Sequence, residues 1–504
     1  MSQRSGNSFA QCKGGTACNP LIPSGECYDA QSARGLMHKR ITSCCLVILA
    51  VSSAVARSSN TAVVFRHVNV INATGNPLQP DMTVVIEGQR ITAVGKDASA
   101  QIPKDARIIE ARGKYLIPGL WDMHVHEIFG DWLPRNEEII PLLFLANGIT
   151  GVRDMGGDLE PLKQWRDEIA SGKMLGPRMV ISGPMLDGPV PQFPSSLPIS
   201  NAADGRKAVD DLNKGGADFI KIQSLIPREG YFAAADEAKK LGIVFVGHVP
   251  DAVRVVEASN AGQKSVEHLT GVFEGCSTAE DELMMQPRGP GRGRFLSTYD
   301  PKRAKDLIAL FVMNQTWQVP TLYWERGEWL IEQTISGLDP LEKYAPVAWK
   351  KRTWPMFTSD IIKHWSTDPI SDRERFVQRE LKMVGDMNRA GVPLMAGTDT
   401  AAGVRVYPGF SLHDELGLLV QAGLTTVQAL QTATINPARF FGFADSGVIA
   451  KDKRADLVLL DANPLDDIRN TKKIRSVVLA GRYFSRDDLD GFLHRVERAA
   501  AASK

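Results

Sequence analysis

After Pro118-Gly119 the chain alternates short apolar runs with amphipathic stretches of helical period, and it continues in this way across residues 120–445. Eight runs, at 121–125, 150–154, 178–182, 219–223, 244–248, 265–268, 317–322 and 394–399, read as buried strands. Helical stretches such as 160–170, 205–214 and 231–241 lie between them. Strands buried on both faces need helices to cover them, and eight such units close into a (β/α)8, or TIM, barrel with generous loops. A doubly wound sheet is the structural rival, but no Gly-x-Gly-x-x-Gly run follows the first strand.

The two ends of the chain have a different texture. Residues 62–68, 83–94, 107–109 and 114–117 are rich in β-branched residues and are punctuated by turn signals such as Glu87-Gly88-Gln89. Strand signals return at 457–460, 476–479 and 482–484, after a helix expected over 426–434 and closed by Asn436-Pro437. Neither end is large enough for a core of its own. The expectation is one small β-sandwich built from 60–119 and 446–487, flanking the barrel, with a terminal helix over 488–501.

The first residues stand apart again. Residues 1–36 are polar, and Met37-His38-Lys39-Arg40 then precedes a short apolar stretch ending in Ala54-Val55-Ala56. That is the build of a secretory signal with cleavage after Ala56, and it is too short for a comfortable membrane span. Translation from Met37 explains its offset. A disordered tail followed by a buried apolar segment or a membrane anchor is the alternative. Five of the six cysteines (Cys12, Cys18, Cys27, Cys44 and Cys45) precede the cleavage point, which leaves Cys276 without an internal disulfide partner. A secreted or periplasmic protein with no stable membrane anchor is expected. The formal net charge is +1, from 59 basic and 58 acidic residues, and no long basic run points to nucleic acid.

His124-Val125-His126 ends the first barrel strand. Residues i and i+2 of a strand share a face, so both imidazoles can reach the catalytic mouth. Lys221 sits among Phe219, Ile220 and Ile222, and lysine is rarely buried without a partner. It either snorkels out to an ion pair or carries a shifted pKa or a covalent modification. A carbamylated lysine is an anionic ligand able to bridge two divalent ions. His248 and His268 each end a strand. Singly, either is as readily a satisfied core or surface histidine, but two consecutive strands ending this way suit zinc and neighbouring ions. Asp399, after Gly397-Thr398, either caps a loop or binds a metal and takes the proton of an attacking water. His413 is a candidate substrate contact, because the loop 400–411 could bring it to the mouth. Tyr231, just after the Lys221 strand, is a candidate for steadying an oxyanion.

Taken together, these residues are familiar. The run Leu116-Ile117-Pro118-Gly119-Leu120-Trp121-Asp122-Met123-His124-Val125-His126 resembles the opening metal motif of the amidohydrolase superfamily. Gly397-Thr398-Asp399 resembles its last-strand motif. Ala455-Asp456-Leu457-Val458-Leu459-Leu460, Asn463-Pro464-Leu465 and Val477-Val478-Leu479-Ala480-Gly481-Arg482 resemble the return into its β-sandwich. Within the superfamily the chain is most similar to the imidazolonepropionase-like branch, which includes metal-dependent prolidases, carboxypeptidases and ochratoxin-hydrolysing enzymes. The resemblance implies two divalent ions, with zinc expected. His124, His126 and Asp399 would hold the more buried one, His248 and His268 the second, and N6-carboxylysine at Lys221 would bridge them. It also marks Gly151-Val152-Arg153-Asp154, with Arg153 or Asp154 as a supporting residue and Arg153 as a weak substrate contact. The first loop is shortened relative to that pattern.

The expected activity is metal-dependent hydrolysis of an amide or peptide C–N bond in a small molecule or short peptide, such as a dipeptide, an N-acyl amino acid or an ochratoxin-like amide. Lactone, cyclic amide or phosphoester hydrolysis on the same centre is the rival, and a non-catalytic barrel is the rival of another class. Trp317, Tyr323, Trp324, Trp329, Trp349 and Trp354 either line a pocket for a bulky group or simply pack. Assembly into a homo-oligomer stays open.

Overall fold

The computed structural model describes residues 61–133, 136–285, 291–365 and 368–503. The expected signal at 37–56, the residues before it and five of the six cysteines lie outside these, while Cys276 is buried. Among the described residues no helix is long and apolar enough to cross a membrane.

Seven barrel strands form where the apolar runs lie: Leu120–Val125, Ile149–Asp154, Arg178–Ile181, Phe219–Ile222, Val244–Gly247, Ser265–Glu267 and Trp317–Val319. The first three pair in parallel with one another, as do the last four. The third meets the fourth where the Asp218 amide donates to Ile181 O at 2.8 Å. The short strand Met185–Asp187 pairs with the fourth through Leu186 and Ile222. The eighth run, 394–399, is not a regular strand. It is laced between the seventh and the first by an isolated bridge, the Gln318 amide donating to Pro393 O and the Met395 amide to Gln318 O, each at 3.0 Å, while Met123 donates to Ala396 O at 2.9 Å. The run 317–322 also divides. Its strand stops at Val319 and the helix Leu322–Trp329 begins at once.

Inside the barrel, Trp121, Met123, Phe219, Val246, Val319 and Met395 belong to one buried cluster. Lys221 follows Phe219 by two residues and therefore shares this interior face. The outer faces of the strands pack against the helices in a second, larger cluster.

The two chain ends meet in one mixed sheet folded as a small sandwich. Its order runs Arg482–Phe484, Ile474–Leu479, Leu457–Leu460, Tyr115–Pro118, Val63–Val70, Gln79–Glu87 and Arg90–Lys96, with Arg107–Glu110 also beside Val63–Val70. The stretch 83–94 is a hairpin, turning at Gly88-Gln89 between Glu87 and Arg90. The join between the ends is antiparallel, with Leu457 opposite Pro118 and Leu460 opposite Tyr115. Leu457 and Leu459 face the sandwich core, whereas Val458 and Leu460 face the core shared with the barrel. Gly481 lets the last hairpin close on the first, since a Cβ there would stand 1.7 Å from Gly88 O and its φ is +80°.

One helix boundary differs from expectation. The helix Thr426–Thr432 ends before Asn436-Pro437, which open a new helix, Ile435–Phe441. Proline is tolerated in a first turn because its missing N–H has no partner there. Asn436 Nδ2 instead donates to Leu394 O at 2.8 Å, helping to hold the irregular eighth run.

Candidate metal centre

The first barrel strand delivers His124 and His126 to the interior. Its register with the second strand slips between Asp122 and Val125, which turns the strand end inward. Asp399 arrives from the eighth run with φ 56°, and its amide donates to His124 O at 2.8 Å. His268 is also left-handed, with φ 58°, and its amide is tied to Val319 O at 3.0 Å. A side chain held in this region costs about 1–3 kcal/mol, and the surrounding strands supply the constraint. Gly397 is required by a close approach, because a Cβ there would lie 2.6 Å from Val319 Cγ1 and 2.9 Å from His124 Cβ.

The ligand atoms of His124, His126 and Asp399 all lie within 4.8 Å of one another, and all three residues are buried. Asp399 Oδ1 stands 3.1 Å from His126 Nε2 and 3.4 Å from His124 Nε2, yet it is buried without a hydrogen-bond partner. Two imidazole nitrogens and an orphaned carboxylate oxygen converging on one point fit a divalent ion. The cluster extends further. His124 and His268 rings lie 4.5 Å apart, His248 and His268 rings 4.9 Å apart, and His268 Nε2 is 3.8 Å from Asp399 Oδ2.

Each histidine has Nδ1 occupied, which leaves Nε2 as the ligand atom. His126 Nδ1 donates to Gly156 O at 2.7 Å, and His124 Nδ1 is 3.0 Å from Glu267 Oε2. His248 Nδ1 donates to Ser224 Oγ at 2.7 Å, since that hydroxyl spends its own proton on Gln223 Oε1. His268 Nδ1 is 2.7 Å from Thr321 Oγ1. Burial, then Lys221 and the neighbouring imidazoles, push His124 well below the usual histidine range, which favours the neutral form that binds metal.

Lys221 is 1 % exposed. Burial pushes it down to about 8, against the pull of Glu267 and Asp399. It sits close enough to the imidazoles for its charge to lower His124.

Arg153 and Asp154 brace this centre, the supporting role expected for one or other of them, whereas sequence reasoning assigned no role to Glu267, Asp122 or Glu127. Glu267 receives both Arg153 Nη2 bonds, at 2.8 and 2.9 Å, and the Ser265 hydroxyl at 2.5 Å, while its Oε2 orients His124. The signal was present: Glu267 is a carboxylate in an apolar strand and shares a face with Ser265. Asp122, raised to about 7 by burial, accepts from the Thr398 hydroxyl at 2.6 Å and from the His124 amide at 3.2 Å. It ties the first strand to the eighth run. Asp154 accepts from the Glu127 amide at 2.8 Å. Glu127 itself has both oxygens buried without partners, and burial raises it well above the usual carboxylate range.

Two expectations are corrected, and Arg153 keeps the supporting one of its two expected roles. Tyr231 lies in the helix Arg228–Leu241, packed on Phe245, and its hydroxyl donates to Gln263 Oε1 at 2.8 Å. Gln263 Nε2 in turn holds Gly247 O and Ser265 O, so Tyr231 braces strands and has no proton free for an oxyanion. His413 is buried in the helix Phe410–Gln421, with Thr471 Oγ1 3.0 Å from Nδ1 and Asn147 O 3.1 Å from Nε2. Both ring nitrogens are spent inside the fold, and burial pushes it down to about 4, so it is not a substrate contact. Arg153 is wholly buried, with Nε donating to Met123 O at 2.6 Å, so it supports Glu267 instead of touching substrate.

A cavity of about 220 Å³ opens beside His248 and His268, with Trp324 and Trp329 in its wall. The other aromatic residues of the long segment pack. Trp317 lies edge-on to Phe440, Trp354 edge-on to Tyr407, Trp349 is buried in the core, and Tyr323 reaches Arg405 O.

Comparison with known proteins agrees with this geometry. A family model described as the amidohydrolase family matches residues 347–483. The chain is 43 % identical to an enamidase of Eubacterium barkeri over 396 residues, covering 78 % of this chain and 83 % of that protein. It is 24 % identical to the ochratoxinase of Aspergillus niger, covering 82 % of this chain and 85 % of that one. Among solved structures it superposes on a Xaa-Pro dipeptidase with a TM-score of 0.61 and 20 % identity, over 84 % of this chain and 100 % of the other.

Proposed function

The chain belongs to the amidohydrolase superfamily, and from that premise we propose a metal-dependent hydrolase that cleaves the amide or peptide C–N bond of a small substrate, such as a dipeptide or an N-acyl amino acid. One observation carries the reading: Asp399 Oδ1 is buried and unpartnered where two imidazole Nε2 atoms converge. The relatives named enamidase and Xaa-Pro dipeptidase support a C–N bond as the target.

His124, His126 and Asp399 would hold the first ion, and His248 with His268 a second, with zinc the metal that this nitrogen-rich set suits. Bound divalent ions lower the pKa of water and polarise a carbonyl oxygen. Asp399 accepts the proton of the attacking water and returns it to the leaving amine. Glu267 and Gly156 O keep the His124 and His126 rings in the tautomer that presents Nε2. Burial lowers Lys221 to about 8, which enlarges its neutral-amine fraction near neutral pH, and that fraction would add to carbon dioxide. The new N–C bond gives a carbamate and releases one proton, and the resulting anion would bridge the two ions.

The full-length protein, purified and reconstituted with zinc, is expected to hold about two ions per chain, falling to about one in Lys221→Ala. Less than one ion per active chain, with activity indifferent to chelation, would overturn the metal centre. A screen of dipeptides, N-acyl amino acids, lactams, lactones and phosphotriesters tests the bond: turnover confined to the last two would overturn C–N cleavage.

A further inference from the structure

We propose that Glu415, which lies outside the metal set, is a positioning residue for His268. It caps the first turn of the helix Leu322–Trp329 from across the fold, and this frees the Thr321 hydroxyl to hold the imidazole. The inference rests on the metal-centre reading only for the role of His268 as a ligand of the second ion.

Glu415 is wholly buried in the helix Phe410–Gln421, which carries none of the candidate ligands. Its Oε2 accepts from the Tyr323 amide at 2.8 Å, and the Leu322 amide donates to the same carboxylate. Leu322 and Tyr323 are the first two residues of the helix Leu322–Trp329. Amides at that end of a helix have no partner within it, so a side chain 92 residues beyond Tyr323 satisfies two of them.

The residue that ordinarily caps a helix start is the one just before it. Here that residue is Thr321, a type well suited to accepting from those amides. Its side chain makes no such bond. It is turned to His268 instead, with Oγ1 2.7 Å from Nδ1 and the backbone left-handed at φ 46°. Binding of a metal through Nε2 requires the proton on Nδ1, and Thr321 Oγ1 is placed to accept it. The same turn carries Trp324, whose ring lies against His268 with centroids 5.1 Å apart. Nδ1 and one face of the imidazole are therefore both set by the turn that Glu415 caps, while Nε2 is left to face Asp399 Oδ2 at 3.8 Å.

Glu415 is a costly way to hold a helix. Its Oε1 is buried with no hydrogen-bond partner among the described residues. Burial pushes the carboxyl up to about 8 against the pull of the two amides, with Asp122 adding repulsion. A threonine capping its own helix would satisfy an amide without burying a carboxylate. The arrangement forgoes that advantage, and what it secures is the ring of His268.

The test follows the full-length, metal-free protein by NMR with isotope-labelled histidines, the His268 signals being those missing from His268→Gln. Thr321→Val removes the hydroxyl and keeps the shape. Glu415→Leu and Glu415→Met remove the acceptor, whereas Glu415→Gln keeps an oxygen on the two amides. Native protein and Glu415→Gln are expected to hold His268 with its proton on Nδ1. Thr321→Val, and whichever apolar Glu415 variant keeps the native far-UV circular dichroism, are expected to show the proton shared between both nitrogens. Unmoved His268 signals in Thr321→Val or in that Glu415 variant would overturn the inference. Zinc titration separates positioning from general loosening. Second-ion affinity is expected to fall about 10–100-fold in those variants, with the first ion held as tightly as before. The double substitution is expected to fall little further than the worse single, because both act through one turn. Equal weakening of the two ions, or additive losses, would assign Glu415 to stability alone and overturn the inference. A native protein that takes up no second ion would overturn that part of the metal-centre reading, and the His268 signals still decide the positioning.

Discussion

Glu267 links the barrel interior to the metal centre. It neutralises Arg153, which is buried beside it, and it sets the ring of His124. Removing the charge in Glu267→Gln leaves the guanidinium without its partner, so a loss of about 3–5 kcal/mol in urea unfolding is expected. Zinc affinity, read by chelator competition, is expected to fall about 10–100-fold. The double substitution Arg153→Met, Glu267→Met separates the two effects: stability recovers while the affinity stays low. A single variant that keeps both stability and affinity would show that the carboxylate does neither job. The ligand histidines were legible because a strand end tells which side chains reach the mouth. Tyr231 and His413 were misjudged because nearness in sequence to a site strand says nothing of what the side chain meets across the fold. Their partners, Gln263, Thr471 and Asn147, lie 32, 58 and 266 residues away.

At the level of the element, the eighth run decides the site. It carries Asp399, yet it is not a regular strand and is held by a few backbone bonds to the first and seventh strands and by Asn436. Gly397 lies where that run passes nearest to His124. Gly397→Ala is expected to cost about 1–3 kcal/mol by overpacking. The greater effect should fall on metal content, because the added methyl pushes Asp399 away from His124. Far-UV circular dichroism should stay native while zinc per chain drops, and full zinc occupancy in the variant would refute this account. Seven strands were readable from apolar runs of the right length, since a buried parallel strand is apolar on both faces. The irregular eighth looked the same in sequence, because its departures come from the neighbours that receive its amides. The end of 317–322 and the place of Asn436-Pro437 escaped for a related reason: both depend on what the backbone meets.

For the molecule as a whole, the strand Leu457–Leu460 is the weld. Its alternate residues enter two cores, one in the sandwich and one shared with the barrel. Leu459→Ala and Leu460→Ala should each cost about 2–5 kcal/mol, although they point to opposite faces. Calorimetry should show one transition that moves as a whole in both variants. Two separable transitions would mean that sandwich and barrel fold independently. The antiparallel join of Leu457–Leu460 to Tyr115–Pro118 also sets a schedule for synthesis. The earlier strand is made about 340 residues before its partner, which at about 5–20 residues per second is a wait of roughly 17–70 s. Throughout that interval Tyr115–Pro118 has Val63–Val70 on one side and an open edge on the other, so the nascent chain is most exposed to aggregation before residues 457–484 leave the ribosome, and slowing translation upstream of residue 457 should lower the yield of folded protein more than slowing it after residue 484.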